Sequence, residues 1–276
     1  MDHIRKLLAT YAYNILGSYE EAKDVVQDAY LKFSQTSHEA IENKKAYLIR
    51  TVINLSINQK KRQKKLVQHY PGQWLPEPIA TEKADTVINR KEILSYSLMI
   101  LLEKLNAKQR AVFILKEAFD YDHKEIAAVL NITEEYSRKI FSRAKQQLKE
   151  AATADSTIIP KDYLDKYIDV IYKADTQQLE NLLQKDITII SDGGGKVTAA
   201  INPVSGRKAV MKFLLGVYKK FYDRKDIHIK KSNINHQPAI LYYKDNKPVN
   251  CQVFDLEIGH ISRIWFIRNP DKLQSL

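Results

Sequence analysis

The chain has 276 residues and sets 44 Lys and Arg against 33 Asp and Glu, a formal net charge of +11 with an isoelectric point near 9.4, which points to an anionic partner. One cysteine, Cys251, excludes a disulfide framework and a cysteine-based zinc cluster and fits a reducing compartment. No signal peptide and no apolar run long enough to span a bilayer is present, so the expectation is a soluble cytoplasmic protein of two or three small domains.

Residues 1–66 read as an all-helical module. Leu7, Leu8, Tyr11, Ile15 and Leu16 form one apolar stripe, and after the turn at Gly17 and Ser18 a second follows with Val25, Val26, Ala29, Tyr30 and Phe33. A third helix, about 45–65, turns Tyr47, Leu48, Val52, Leu55 and Ile57 inward. Its other face is basic: no Asp or Glu occurs between Glu42 and Glu77, while Lys44, Lys45, Arg50, Lys60, Lys61, Arg62, Lys64 and Lys65 do, a run suited to tracking phosphates. The second helix is the opposite, with Glu20, Glu21, Asp24 and Asp28 exposed beside Gln27. One module thus offers an acidic and a basic face, which suggests two different partners.

A linker follows at 67–90. Pro71, Pro76 and Pro78 keep it extended, and Trp74 and Leu75 would lie bare to water unless something covers them, so WLPEP reads as a docking strip.

Residues 91–150 form a second helical module that ends in YDHKEIAAVLNITEEYSRKIFSRAKQQL at 121–148. Asp122 caps a helix and Glu125 reaches back to the cap; Ile126, Val129 and Leu130 make its stripe, and Ala127 admits a close crossing. Asn131 suits a left-handed turn and Thr133 recaps the chain. In the second helix Ser137, Phe141, Ala144 and Leu148 should face inward, leaving Arg138, Lys139, Ser142, Arg143 and Lys145 outward. This is a helix-turn-helix with a basic reading helix, and it points to DNA.

AATADSTIIP at 151–160 is a connector. From 160 to 276 the pattern is mixed, with helices near 161–173, 175–184 and 206–221. Strands are expected around Ile187 and Ile189, at Ile227 and Ile229, and through PAILYYK, NCQVFDLEI and ISRIWFIR, forming an antiparallel sheet in an α+β domain. Gly193, Gly194 and Gly195 stand together in DGGGK, where the backbone must adopt a conformation that side chains forbid or approach another surface closely. Lys196 is followed by Val197, so the segment is no Walker loop; a hairpin turn, a small anion nest and a contact with another part of the chain all fit. Asp192, His228, His236, Asp255 and His260 are the acid–base candidates if this domain were an enzyme. No catalytic assignment is made from them, and neither a cofactor nor a metal is expected, because no His or Cys pair has ligand spacing.

These residues carry a resemblance. AKDVVQDAYLKF at 22–33 resembles region 2 of bacterial sigma factors, where such a helix binds the RNA polymerase clamp. AYLIRTVINLSINQKKR at 46–62 resembles the following stretch, which opens and reads the minus-10 element. The helix-turn-helix, preceded by LEKLNAKQRAVFILKEAFDY, resembles region 4, the reader of the minus-35 element. QWLPEP at 73–78, SDGGGKVTAAINPVSG at 191–206 and NPDKL at 269–273 resemble one subgroup of the extracytoplasmic-function sigma factors, fused to a SnoaL-like (NTF2-like) C-terminal domain. Asn54 departs from the basic residue expected there, and Ile140 and Lys145 are variable choices in the reading helix.

The resemblance implies two all-α sigma regions followed by a cone-shaped α+β domain. It implies that Asp24, Gln27 and Asp28 contact core polymerase, and that Arg138, Lys139, Ser142 and Arg143 read minus-35 DNA. Promoter opening needs a basic groove and a pocket for a flipped base, placed at the loop of about 36–43 beside Arg50, Asn54, Asn58 and Lys61, with Tyr47 taken as core. A regulatory contact is expected between Trp74, Leu75 and Pro76 of the linker, or the sigma core, and Asp192, Gly193, Gly194, Gly195 and Lys196. The free protein is expected to be a monomer without a membrane partner. A one-component regulator that binds an operator and a small ligand is the alternative, and an enzyme with a nucleic-acid tether a further one.

Overall fold

The computed structural model describes residues 2–36, 41–82, 88–149 and 162–276. The middle of the expected base pocket, part of the linker, and the 151–160 connector lie outside the described residues.

Three helices form the first module: α1 (Asp2–Leu16), α2 (Tyr19–Ser34) and α3 (Lys44–Val67). Ser18 caps α2 by accepting from the Glu21 amide, and Asn43 caps α3 by accepting from the Ala46 amide at 3.0 Å. The expected stripes are the core: Leu8, Ile15, Leu16, Val52 and Ile53 are fully enclosed, and Tyr47 is half-buried against Phe33. Lys60 departs from the reading of α3 as a uniformly basic face. It is buried, because helical spacing turns position 60 inward with Val52, Ser56 and Gln63 while Lys61 and Arg62 point out.

The second helical module comprises α4 (Tyr96–Leu101), a 3-10 turn (Leu102–Lys104), α5 (Ala107–Glu117), α6 (His123–Leu130) and α7 (Glu134–Lys149). The reciprocal cap forms: Glu125 N–H donates to Asp122 at 2.7 Å, and Asp122 N–H to the Glu125 carboxylate at 2.8 Å. Asn131 takes φ +52 and reverses the chain, and Thr133 accepts from the Tyr136 amide. In α7 the inward set is Ser137, Ile140, Ala144 and Leu148. Ile140 is therefore core and not a reading position, and Phe141 is only half-buried, stacked on Phe113.

The two helical modules pack into one unit. Tyr11 of α1 lies 4.0 Å from Phe119, ring to ring, and its hydroxyl is 3.1 Å from that of Tyr121. Asn14 donates to the Glu92 carbonyl at 2.8 Å and accepts from Leu94 N–H.

The second unit contains Tyr70–Glu82 and the described residues from Asp162 onward. Helices α8 (Tyr163–Tyr172), α9 (Thr176–Leu182) and α10 (Arg207–Val217) pack on a six-stranded sheet: β1 (Leu183–Asp192), β2 (Val204–Ser205), β3 (Ile227–Ile234), β4 (Gln237–Lys244), β5 (Lys247–Glu257) and β6 (His260–Ile267). The order is β2-β1-β6-β5-β4-β3. The expected antiparallel sheet holds for every neighbouring pair except β1 and β6, which run parallel. The long excursion through α10 and the β3–β5 meander returns the last strand beside the first in the same direction, a pairing a hairpin cannot make. Ile187, Ile189, Ile240, Tyr242, Phe254 and Phe266 meet Tyr167, Val170, Leu179 and Leu214 of the helices in one core.

Candidate promoter-binding and regulatory surfaces

The linker strip lies on the C-terminal domain, and its anchor is Asp192 at the end of β1. That carboxylate is fully enclosed. One oxygen accepts from the Tyr70 hydroxyl at 2.6 Å and from Gly194 N–H at 3.0 Å; the other accepts from Leu75 N–H at 2.9 Å and from Lys272 Nζ at 2.7 Å. Four donors fill the acceptor capacity of a carboxylate. Burial and the adjacent Asp192 push the Tyr70 phenol above its ordinary range, so it stays a donor. Lys272 donates onward to the Leu75 carbonyl at 2.5 Å, so both backbone groups of Leu75 are read by the domain. Its ammonium also sits 4.2 Å from the centre of the Trp74 ring and 5.2 Å from that of Tyr70.

The glycine loop explains itself at two positions. Gly194 and Gly195 have φ of +61 and +70. A Cβ at Gly194 would stand 2.3 Å from the Asn269 amide, and one at Gly195 would stand 2.6 Å from the Pro71 ring. Of the readings open from sequence, the geometry displays two: a turn, closed by Lys196 N–H donating to the Gly193 carbonyl at 3.0 Å, and a close approach to Pro71 of the linker. Gly193 clears the loop's own Val197 carbonyl, and Lys196 pairs with Asp271 instead of touching the strip.

Beyond Leu75 the strip runs extended and buried through Pro76, Glu77, Pro78 and Ile79. Asn235, in the β3–β4 turn at φ +47, accepts from Ile79 N–H on its side chain and donates its own N–H to the Ile79 carbonyl. Ala80 bridges Ile234, and Thr81 bonds the Asn233 carbonyl. Burying Leu75 and Ile79 contributes on the order of 1.5–3 kcal/mol each. Sequence reasoning named Trp74, Leu75, Pro76 and Asp192 but missed Tyr70, Asn235, Asn269 and Lys272. Asn269 and Lys272 lie in NPDKL, whose residue types carried that signal; Asn235 has none, because its role depends on where a turn meets the strip.

On the helical unit, Asp24, Gln27 and Asp28 share the solvent face of α2. Arg50, Asn58 and Lys61 are exposed on α3, while Asn54 is half-buried and spends its amide on the carbonyls of Arg50 (2.8 Å) and Val129 of α6 (3.0 Å). Arg138, Lys139, Ser142 and Arg143 are exposed on α7; Arg138 pairs with Glu134 one turn back.

The acid–base candidates do not converge. Asp192 is saturated. Asp255 bonds Gln237 and Arg263 and alternates with Phe254, so it faces away from the domain core; burial raises its pKa despite Arg263. His228 and His236 are exposed, and His260, also exposed, bonds the Asn181 carbonyl. Among the described residues no cluster of His, Cys, Asp and Glu has a metal-binding arrangement, and no helix is long and apolar enough to cross a membrane.

Residues 1–66 match the family model of Sigma-70 region 2, and residues 97–148 that of Sigma-70, region 4. The ECF RNA polymerase sigma factor SigJ of Mycobacterium tuberculosis is 26% identical, over 98% of this chain and 90% of its own length. The probable ECF RNA polymerase sigma factor SigI of the same species is 22% identical, over 99% and 93%. The crystal structure of M. tuberculosis SigJ matches with a TM-score of 0.80 at 22% identity, covering 99% of this chain and 97% of that one, and shows the same fold.

Proposed function

The chain belongs to the extracytoplasmic-function RNA polymerase sigma factors, and on that premise we propose that its SnoaL-like domain regulates it in cis by capturing the linker between the two promoter-reading modules. It is a sigma factor that binds core RNA polymerase and directs promoter-specific initiation, with its place of action in the cytoplasm. Its working parts are region 2 at 1–66, the linker at 67–90, region 4 at 91–150 and the regulatory domain at 160–276. Asp24, Gln27 and Asp28 bind the polymerase clamp. Arg50, Asn54, Asn58 and Lys61 engage the minus-10 element, and Arg138, Lys139, Ser142 and Arg143 the minus-35 element, by base-edge and phosphate contacts.

The observation that carries the regulatory reading is the bonding of Asp192 and Lys272 to both backbone groups of Leu75. A linker held there loses reach, because an extended residue spans at most roughly 3.3–3.6 Å and the held residues no longer contribute to spacing the two reading modules. A bias of a few kcal/mol between captured and released strip moves most of the population. Asp192 is occupied in holding the linker, which favours a binding role over a catalytic one. The operator-binding alternative is not favoured, since both sigma regions match in order and α2 presents an acidic face that a simple repressor does not need.

The test mixes the full-length protein with bacterial core polymerase and follows complex formation, with Asp24→Lys/Asp28→Lys as the comparison. Binding that the charge reversal abolishes supports the assignment; equal binding by both would remove α2 from the clamp contact.

A further inference from the structure

Between Asp192 and Asp223 no Asp or Glu occurs, while Lys196, Arg207, Lys208, Lys212, Lys219 and Lys220 do. The latter half of that stretch is α10 and the π turn (Tyr218–Tyr222) that continues it. Val210, Leu214, Tyr218 and Tyr222 face the domain core, one row at a spacing of four. The row beside it, Ala209, Phe213, Val217 and Phe221, keeps the same spacing. In an α-helix such a row drifts around the axis, and the wider π turn offsets the drift, which brings Phe221 back into line with Val217. With Val204 of β2 these side chains floor an open groove of about 450 Å3, almost wholly apolar. Phe213 is fixed there edge-on to Phe266, with ring centres 5.7 Å apart.

A third row, Lys212, Gly216 and Lys220, forms the exposed rim of the groove. Gly216 lies within α10, and a Cβ there would meet nothing within 4 Å. Neither a turn nor close packing calls for glycine at this place, where alanine would make the helix more stable. Its effect is to leave a gap between two lysines that stand about 12 Å apart along the axis. The Lys220 ammonium lies 5.2 Å from the Phe221 ring centre and the Arg268 guanidinium 5.4 Å from it. Arg268 also donates to the Thr198 carbonyl, while its buried Nε has no partner. Three cations thus border an apolar floor, and no carboxylate lines it.

The chemistry that fits is an apolar body with an anionic head. A nucleobase would leave its edge donors and acceptors unpaired on this floor. The groove has the size of a single small-molecule site and falls short of a protein interface, which covers roughly 800 Å2 on each partner. We propose that the α10 groove binds a free acyl carboxylate, its chain lying over Phe213, Val217 and Phe221 and its head held by Lys212 and Lys220 above Gly216. The site is on the outer side of α10, apart from the row that packs into the core.

The experiment titrates the full-length chain by calorimetry with decanoate, kept below its micelle concentration, and with decanol as the uncharged match. Decanoate should bind one-to-one and about tenfold more tightly than decanol, with a several-fold loss for each two carbons removed from the chain. Lys212→Met/Lys220→Met should abolish the preference for decanoate and leave decanol binding unchanged. Gly216→Leu closes the gap and should bind neither probe, while melting no lower than the wild type, since leucine is the better helix former. Binding that persists in a folded Gly216→Leu chain, a decanoate preference that persists without the two lysines, or no decanoate binding at all overturns the proposal. Sedimentation with phosphatidylglycerol vesicles in place of decanoate binding also overturns it and makes this a membrane-contacting face. The double lysine variant changes only exposed side chains, so it decides the matter even if Gly216→Leu does not fold.

Discussion

Asp192 does the work of four hydrogen-bond acceptors in one enclosed carboxylate, and that makes it the residue on which the linker contact turns. Replacing it with Asn keeps the shape but strands the Lys272 ammonium, a loss on the order of 3–5 kcal/mol for breaking a buried pair. Asp192→Asn should therefore lower the urea midpoint of the C-terminal domain as well as free the strip, and a change in tryptophan emission from Trp74 should report the release. Gly195→Ala acts differently. It forces a left-handed backbone on a Cβ and drives that carbon against Pro71, so it should weaken strip docking, read as faster proteolysis of the linker, while leaving the domain core intact. Lys60 gives a pH prediction. Burial, and then Arg110, lower its pKa from 10.5 to about 7, while Glu103 opposes the shift. Between pH 7 and 10.5 the unfolded chain binds the extra proton, so this group's contribution favours the folded unit increasingly as pH rises through that window and is constant below it. The stability difference between the wild type and Lys60→Met should therefore shift toward the wild type from pH 7.5 to pH 9.5.

At the scale of elements, α7 shows most clearly how helical spacing separates a buried from an exposed face. Its inward residues at 137, 140, 144 and 148 leave Arg138, Lys139, Ser142 and Arg143 on one solvent face. Arg143→Ala should cost about 1–3 kcal/mol of minus-35 discrimination if it reads a base edge; a uniform loss on all sequences with a shallower salt slope would make it a phosphate contact instead. The caps, turns and stripes of the helical modules were legible because each depends on neighbours three or four residues away. The position of Ile140 was not, since 140 and 141 both continue the stripe and only packing against α5 and α6 chooses between them. The inward turn of Lys60 was hidden for another reason: a basic run masks the periodicity of the one lysine whose partner, Glu103, lies more than forty residues away. In the C-terminal domain the strands were readable from their runs, whereas the parallel pairing of β1 with β6 depends on topology that strand patterns do not encode. Likewise DGGGK announced an unusual backbone, and its partner Pro71 became visible only in three dimensions.

At the scale of the molecule, two chain-distant segments, WLPEP and NPDKL, meet at the end of β1 and turn a linker into part of a domain. The strip is at once the covalent connection between the two helical modules and a bound element of the C-terminal domain. Asp192 stabilises the domain too strongly for its replacement to isolate regulation, because stability and release change together. Trp74 is better placed: it is half-buried and held by the Lys272 ammonium, a contact of roughly 0.5–2 kcal/mol. The decisive measurement is initiation from a promoter library by core polymerase loaded with wild-type protein, Trp74→Ala, or a chain ending near residue 150, with melting temperature and core binding followed in parallel. The account predicts that all three bind core, that Trp74→Ala melts close to the wild type, and that both variants change initiation several-fold in the same direction. Equal initiation by all three, or a Trp74→Ala effect matched by an equal loss of stability, would contradict regulation through the captured linker.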